Sequence, residues 1–343
     1  MPPSAAPARP LRMGTRASAL ARAQSGAFAA ELSRATGRPV ETVVIRTQGD
    51  QLSSEGKAPP GGDAAGVFVR ALDEALLANE IDFAVHSLKD VPTVLAAGVT
   101  LAAVPVRADA RDAFVVASRH AGVTTVIALP EGARVATSSP RRVSQLLRVR
   151  PDLVTVAMAG NVDTRLQRLE EGRADALILA CAGLDRLGRG GVVTRRLERD
   201  EMLGAPAQGA LGIGCRADDA ETIAALETMD HLLTRVAAEA ERELLRFLRG
   251  GCRAPVGARG FLEGEEGNLA LKLVARVLSL DGRECLEDEM TAPLSPAQLS
   301  PSSPSKKSSS SSFSSSLAQS LAERLLARGA ARLIDAAREG APA

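Results

Sequence analysis

The first two-thirds of the chain alternates short apolar runs with amphipathic segments, and this alternation is the feature that most constrains the fold. Val40–Arg46, Ile81–His86 and Leu153–Met158 have the length and apolar character of buried strands. Val67–Asn79 and Val162–Glu171 carry apolar residues at helical spacing. Strands that alternate with helices predict an α/β fold, with mostly parallel sheets and helices on both faces.

The pattern changes after a strong amphipathic helix, which is predicted over Thr234–Arg249 and which Gly250-Gly251 would end. Short apolar runs beyond it predict a small sheet, and Leu317–Ala337 predicts one or two helices. The C-terminal part should therefore be a smaller α+β domain. Ser300–Ser316 consists almost entirely of Ser, Pro and Lys, so a disordered surface insertion is expected there.

Composition and charge narrow the class of protein. The 343 residues allow two or three domains, and a net charge of +1 gives no reason to expect nucleic acid or membrane as a partner. The N-terminus has no apolar core of an export signal, and no apolar run approaches the roughly 20 residues of a membrane helix. The four cysteines lie far apart, which suits a reducing compartment and offers no metal-site pattern. We expect a cytoplasmic, monomeric protein without a metal.

Polar side chains follow the apolar run that ends near His86. In open α/β sheets, ligands bind beyond the carboxyl ends of the strands, so Lys89 and Asp90 are candidates for a binding cleft. A simple strand-end turn, closed by Pro92, would give the same pattern.

A second candidate is the segment Thr137–Arg142, in which a hydroxyl-rich turn leads through Pro140 into a helix that begins with two arginines. Free backbone N–H groups, the positive helix end and two guanidinium groups would converge there and bind an anion. The alternative is a capped helix start with two solvated arginines. The N-terminal turn with Arg16 and Ser18 is similar, although Ser18 could be only an N-cap.

The loop Gly250–Gly257 holds Cys252 among glycines. Glycines leave a thiol accessible, and an accessible thiol can serve as a nucleophile or as a point of covalent attachment. An incidental cysteine in a turn is the alternative. The remaining cysteines lie in or beside apolar strand-like segments and are expected to be structural: Cys181, Cys215 and Cys285.

Taken in order, these segments resemble the porphobilinogen deaminase (hydroxymethylbilane synthase) family from about Leu11 to Ile334. The matching segments are Thr15-Arg16, AVHSLKDVP, TSSPRR, GNVDTR, ILACAGLDRLG, PAQGALGIGCR and GGCRAPVG. The resemblance implies two α/β lobes, similar to periplasmic solute-binding proteins, that enclose a cleft. The first lobe would contain residues 1–104 and 205–228, the second residues 105–204, and a cofactor-attachment domain residues 229–343.

The resemblance also implies an activity, the stepwise head-to-tail condensation of four porphobilinogen molecules to hydroxymethylbilane in tetrapyrrole (heme) biosynthesis. Cys252 matches the cysteine that carries a dipyrromethane cofactor through a thioether. Asp90 matches the carboxylate against the pyrrole nitrogens, which would assist loss of ammonia and stabilise the cationic azafulvene. Arg16 and Lys89 are expected to act in catalysis as well.

The resemblance assigns further residues to the binding of acidic side chains. The expected cofactor-binding residues are Cys252, Ser18, Lys89, Asp90, Thr137, Ser139, Arg141, Arg142 and Arg165. Arg16, Phe68 and Gln208 are expected to contact the substrate. The loop Gln48–Gly66 matches a mobile lid that would exclude water.

Three departures from the family pattern each remove a positive charge. Ala159 stands where an arginine is usual, Gln48 replaces the arginine of Thr-Arg-Gly-Asp, and Ala64–Gly66 replaces Gly-Lys-Gly. A catalytically weakened relative is therefore one alternative. Another is a two-lobed binding protein for acidic ligands, which would need neither Cys252 nor Asp90.

Overall fold

The computed structural model describes residues 9–46, 64–251, 253–265, 268–295 and 306–340. The described strands are β1 Leu11–Arg16, β2 Val40–Ile45, β3 Phe83–Ser87, β4 Val99–Ala103, β5 Asp112–Val116, β6 Arg134–Ala136, β7 Val154–Val156, β8 Ala176–Ala180, β9 Arg195–Leu197, β10 Leu211–Arg216, β11 Val256–Glu263, β12 Ala270–Leu278 and β13 Cys285–Pro293. The described α-helices are α1 Ala19–Thr36, α2 Ala64–Leu77, α3 Pro140–Val149, α4 Val162–Glu170, α5 Cys181–Arg186, α6 Ala220–Glu227, α7 Leu232–Phe247, α8 Lys306–Ala327 and α9 Ala330–Gly340.

Two five-stranded sheets share one topology. The sheet of the first lobe has the order β2-β1-β3-β10-β4, and that of the second lobe has the order β7-β6-β8-β5-β9. Within each sheet one strand, β10 or β5, runs antiparallel to both of its neighbours, while the other described pairs are parallel. The predicted α/β class with mostly parallel sheets is confirmed.

The chain passes between the lobes twice. It leaves the first sheet after β4 and enters the second at β5, and it returns from β9 to β10. The strand that follows each passage is the antiparallel one. The two passages lie side by side, because the Ala108 N–H donates to the Gly209 carbonyl at 3.2 Å. The exact domain boundaries at residues 104/105, 204/205 and 228/229 stay predictions.

The third domain is a three-stranded antiparallel sheet, β11-β12-β13, packed against helices. Its core joins apolar side chains from α7, β12 and α8, among them Leu244, Leu273 and Leu321, which are fully buried. The predicted smaller α+β domain is confirmed. Within the described ranges, no helix has the length and apolar composition needed to cross a membrane.

The prediction of a disordered serine-rich insertion is wrong for residues 306–316, because α8 begins at Lys306. Ser314 is fully buried, and its hydroxyl donates to the Val236 carbonyl of α7 at 3.0 Å. Small side chains let α8 approach α7 closely, and the hydroxyl finds a partner there, so a polar composition does not prevent burial. The first part of the insertion, residues 300–305, lies outside the described residues.

Helix α3 is fixed between the second lobe and the third domain. The Gln145 side-chain oxygen accepts hydrogen bonds from the Leu203 backbone N–H and from Arg276 of β12, both at 2.8 Å. Gly282, at the turn after β12, has a φ of +73°, and a Cβ there would overlap the backbone of α3 near Ser144. The third domain therefore holds the helix whose first turn carries the predicted arginine pair.

Candidate active site

A cavity of about 540 Å³ lies between the lobes. Its walls include the ends of strands β1 and β3, the first turns of helices α1 and α4, and helix α5. Its charged lining residues are Arg16, Lys89, Asp90, Arg142, Asp163, Arg165 and Arg186. Five cations thus face two carboxylates, and Asp163 is already paired with Arg189 at 3.1 Å. The surplus of positive charge suits a ligand with several carboxylates.

The first-lobe contribution begins where β1 gives way to α1. Arg16 is the last residue of β1 and lines the cavity together with Ser18. The Ser18 hydroxyl accepts a hydrogen bond from the Ala21 backbone N–H at 3.3 Å, so the N-cap interpretation of this residue is confirmed. A ligand at this point would therefore meet a helix N-terminus as well as a guanidinium group.

Lys89 and Asp90 follow β3 in a short 3₁₀ helix, Leu88–Asp90, and both are half-buried in the cavity wall. The Lys89 ammonium donates to the Gln208 side-chain oxygen at 3.3 Å. The pKa of Lys89 is lowered to about 8, chiefly by burial. Asp90 opposes this shift, and the nearby Arg142 adds to it. Among the described residues, none donates a hydrogen bond to the Asp90 carboxylate, which is open to a ligand.

The arginine pair of the second lobe is arranged differently from the sequence-based expectation of two converging anion-binding groups. Pro140 begins α3 as expected, but both guanidinium groups are buried and bind the Asp112 carboxylate, Arg141 at 2.7 Å and Arg142 at 2.6 Å. Arg142 also lines the cavity, whereas Arg141 does not. Sequence reasoning missed Asp112, which directly precedes the apolar residues of β5.

The hydroxyl residues before α3 lie outside the cavity lining. Thr137 is buried, and its hydroxyl accepts a hydrogen bond from the Ser139 backbone N–H at 3.2 Å. Ser139 makes no side-chain cap contact with α3. A direct contact of either residue with a ligand stays a prediction.

Arg165 and Arg186 both line the cavity, and neither forms an ion pair with a carboxylate in the described part of the chain. Arg165 of α4 donates to the Gly160 carbonyl at 2.8 Å, and Arg186 of α5 donates to the Gly209 carbonyl at 2.7 Å. Burial lowers the pKa of Arg165 to about 10 and lowers that of Arg186 as well. Sequence reasoning missed Arg186, although it lies in the quoted segment ILACAGLDRLG, one turn into the helix after β8.

Other expected site residues are not brought into this cavity by the described structure. Gln208 is fully buried beside it and donates to the Ala110 carbonyl at 2.8 Å. Phe68 belongs to α2, but its side chain lies outside the description, as does Cys252 entirely. Most of the expected lid, residues 48–63, also lies outside the described residues, and the loop prediction is wrong for 64–66, which begin α2.

Comparison with known proteins agrees with this geometry. Residues 11–224 match the family model described as porphobilinogen deaminase, dipyromethane cofactor binding domain, and residues 235–303 match the model of the C-terminal domain. The chain belongs to the porphobilinogen deaminase family. It is 48% identical over 289 residues to porphobilinogen deaminase 1 of Streptomyces coelicolor, with 83% of this chain and 88% of that protein covered.

Another relative is the porphobilinogen deaminase of Trichlorobacter lovleyi, 45% identical over 282 residues, with 82% of this chain and 87% of that protein covered. Among solved structures, the chain is similar to the periplasmic aliphatic sulphonate binding protein SsuA of Escherichia coli, at 18% identity and a TM-score of 0.36. That match covers 70% of each chain.

Of the three departures from the porphobilinogen deaminase pattern, Ala159 is the one whose backbone and side chain both belong to the described structure. The Arg168 guanidinium of α4 donates to the Ala159 carbonyl at 2.9 Å, so a positive charge already lies at this backbone position. Arg168 also lies near enough to Arg165 to lower the pKa of that residue. The departure at Gln48 lies outside the described residues, and Ala64–Gly66 form the start of α2.

Proposed function

We propose that this chain is a working hydroxymethylbilane synthase, which joins four porphobilinogen molecules head to tail and releases one ammonia for each. The proposal rests on family membership and on one observation, the open Asp90 carboxylate among the cavity's cations. A binding protein for acidic ligands gains nothing from a carboxylate that faces its anionic ligand. A carboxylate is useful where positive charge develops during a reaction.

The residues of the cavity fit a dipyrromethane cofactor attached through Cys252. Its pyrrole rings carry acetate and propionate arms, and the half-buried Arg165 and Arg186 have no carboxylate partner in the described structure. Their lowered pKa values reflect buried positive charge that such arms would neutralise. When bound, the cofactor supplies a pyrrole carbon to which the first substrate is joined.

The proposed residue roles divide by position. Ser18, Lys89, Arg142 and Arg165 line the cavity and would hold cofactor arms, while Arg16 and Arg186 would hold those of the substrate. Thr137, Ser139, Arg141 and Gln208 lie behind this lining, so their contribution would be indirect. Cys252 and Phe68 keep the roles that family membership suggests, attachment of the cofactor and contact with the incoming ring.

Asp90 would act on the substrate in two ways. Its carboxylate accepts a hydrogen bond from the pyrrole N–H and so holds the ring in place. The aminomethyl group reacts in its protonated form, as an ammonium group. When its C–N bond breaks, neutral ammonia leaves with the electron pair, and the positive charge passes to the ring. The fixed negative charge of Asp90 stabilises that cation until a pyrrole carbon attacks it, after which the proton on the attacking carbon is lost.

The direct test is to incubate the purified protein with porphobilinogen and to measure both ammonia and linear tetrapyrrole. Equal molar release of ammonia per substrate consumed, with hydroxymethylbilane as product, is expected. A protein that carries a dipyrrole but releases no ammonia would be the weakened relative. A protein that binds porphobilinogen unchanged would be the binding protein.

Replacing Arg186 with leucine is expected to weaken substrate binding. Loss of one charge-assisted hydrogen bond costs about 1.5–3 kcal/mol, which corresponds to a fall in kcat/KM of roughly 10- to 150-fold. The fall should appear mainly as a higher KM. Arg173→Leu removes an exposed arginine of the same lobe and should leave the kinetics unchanged. Equal behaviour of the two variants would remove Arg186 from the site.

Introducing arginine at position 159 should leave turnover unchanged, because Arg168 already holds a guanidinium group at the Ala159 carbonyl. Steady-state kinetics of Ala159→Arg measures this directly. A clear gain in kcat would mean that the natural alanine weakens the enzyme.

A cytoplasmic location and a monomeric state belong to the same proposal. Light scattering after size-exclusion chromatography tests the monomeric state.

A further inference from the structure

Asp112, the first residue of β5, is a fully buried carboxylate behind the cavity rather than in it. Its Oδ2 accepts from Arg141 Nη1 at 2.7 Å. Its Oδ1 accepts from Arg142 Nε at 2.9 Å and Arg142 Nη2 at 2.6 Å. The same Oδ1 accepts from Gln208 Nε2 at 3.1 Å. One carboxylate therefore organises side chains from the second lobe and from the segment that returns to the first.

These contacts fix the direction of the Arg142 guanidinium. A guanidinium group has five N–H donors. Within the described structure, two of those of Arg142 bind Asp112, and a third binds the Ile178 carbonyl at 3.0 Å. Arg142 itself lines the cavity, so its remaining N–H donors are the ones that a ligand can contact. Asp112 thus determines which edge of Arg142 a ligand meets.

The same carboxylate fixes the Gln208 amide. Gln208 Nε2 donates to Asp112 and to the Ala110 carbonyl, at 3.1 and 2.8 Å, so the nitrogen side of the amide is fully used. The oxygen side must then face Lys89, whose ammonium donates to it at 3.3 Å. The hydrogen bond from Gln208 to Asp112 therefore sets which side of the amide is presented to Lys89, a cavity-lining cation of the first lobe.

Charge supports this arrangement. Burial alone would raise the pKa of Asp112, but Arg141 and Arg142 hold it well below its usual range, so the carboxylate stays ionised. Asp112 and Asp90 raise the pKa of Lys89, while burial and the two arginines lower it. Removing the negative charge of Asp112 would leave these three cations less compensated.

We propose that Asp112 is a positioning residue of the active site, which aims Arg142 and, through Gln208, Lys89 at the carboxylate arms of the bound pyrroles. It does not touch the ligand itself. The inference rests on the proposed function, because it concerns the same cavity.

Asp112→Asn keeps the shape of the side chain but removes its charge and turns an amide N–H toward the guanidinium groups. We expect kcat/KM for porphobilinogen to fall at least about 30-fold, as for a buried charge pair that loses one partner. We also expect the basic limb of the pH–rate profile to move to lower pH, since Lys89 loses a compensating charge. Lys89→Arg, which stays charged, should abolish that limb and so assign it.

Asp109→Asn is the matched control. Asp109 lies on the same segment and pairs with Arg111 at 2.8 Å and Arg196 at 2.7 Å, but it does not line the cavity. This variant should stay within about threefold of the wild type, because these ion pairs are partly open to solvent and lie outside the cavity. If Asp112→Asn does not fold, Gln208→Met tests the link to Lys89 and should move the basic limb in the same direction.

The outcomes separate the two proposals. A wild-type protein that releases no ammonia from porphobilinogen would refute the proposed function, whatever the variants do. An active wild type whose Asp112→Asn variant matches Asp109→Asn would refute only the positioning role. An unshifted pH profile, with activity lost only in proportion to the folded fraction, would make Asp112 merely structural.

Discussion

Replacement of Cys252 by serine is expected to abolish the formation of hydroxymethylbilane. A serine hydroxyl is hardly ionised at neutral pH, so it cannot replace a thiolate in forming the bond to the dipyrrole. The described cysteines cannot substitute for it. Cys181 and Cys215 are buried, and burial raises the pKa of Cys181 to about 12. Ammonia release from porphobilinogen by the purified variant is the measurement.

Cys285→Ser provides the control for this experiment. Cys285 is half-buried in β13, and burial raises the pKa of its thiol, so it should have no part in attachment. Its variant should retain full activity. Retention of activity by Cys252→Ser, or its loss in Cys285→Ser, would contradict the assignment of the attachment point.

Replacement of Asp90 by alanine is expected to lower kcat by about 10²–10³, the usual effect of removing a group that stabilises developing charge. Attachment of the dipyrrole should be affected less than turnover, because Asp90 acts on the breaking C–N bond of each substrate. Single-turnover ammonia release and the intact mass of the same preparation measure the two effects separately.

Asp163→Asn is the matched variant for Asp90. Asp163 also lines the cavity, but its carboxylate is already paired with Arg189, at 3.1 Å, and should take little part in the reaction. A small effect at Asp163 and a large one at Asp90 would separate catalysis from the general charge of the cleft. Equal loss of attachment and turnover in Asp90→Ala would contradict the role proposed here.

The fold could be predicted from the sequence because its signals are local. Apolar runs of strand length, Pro140 at the first position of α3 and Asn161 as the cap of α4 all belong to neighbouring residues. The polar residues after β3 were correctly expected at the carboxyl end of a strand, and Lys89 and Asp90 do line the cleft. Local periodicity was sufficient for each of these.

The missed features depend on contacts between distant parts of the chain. Asp112 meets Arg142 and Gln208, and Arg186 reaches the Gly209 carbonyl, only after the chain has passed between the lobes twice. No local pattern marks Asp112 as the partner of two arginines. The helical start at Lys306 was missed for a similar reason, since burial of Ser314 against α7 compensates for a polar composition.

The intact mass of freshly purified protein, expressed in cells with a complete tetrapyrrole pathway, tests the account most directly. The account predicts a single species heavier than the chain by one dipyrromethane, with the added mass on the peptide that contains Cys252. A chain of unmodified mass, or a modification on another cysteine, would contradict it.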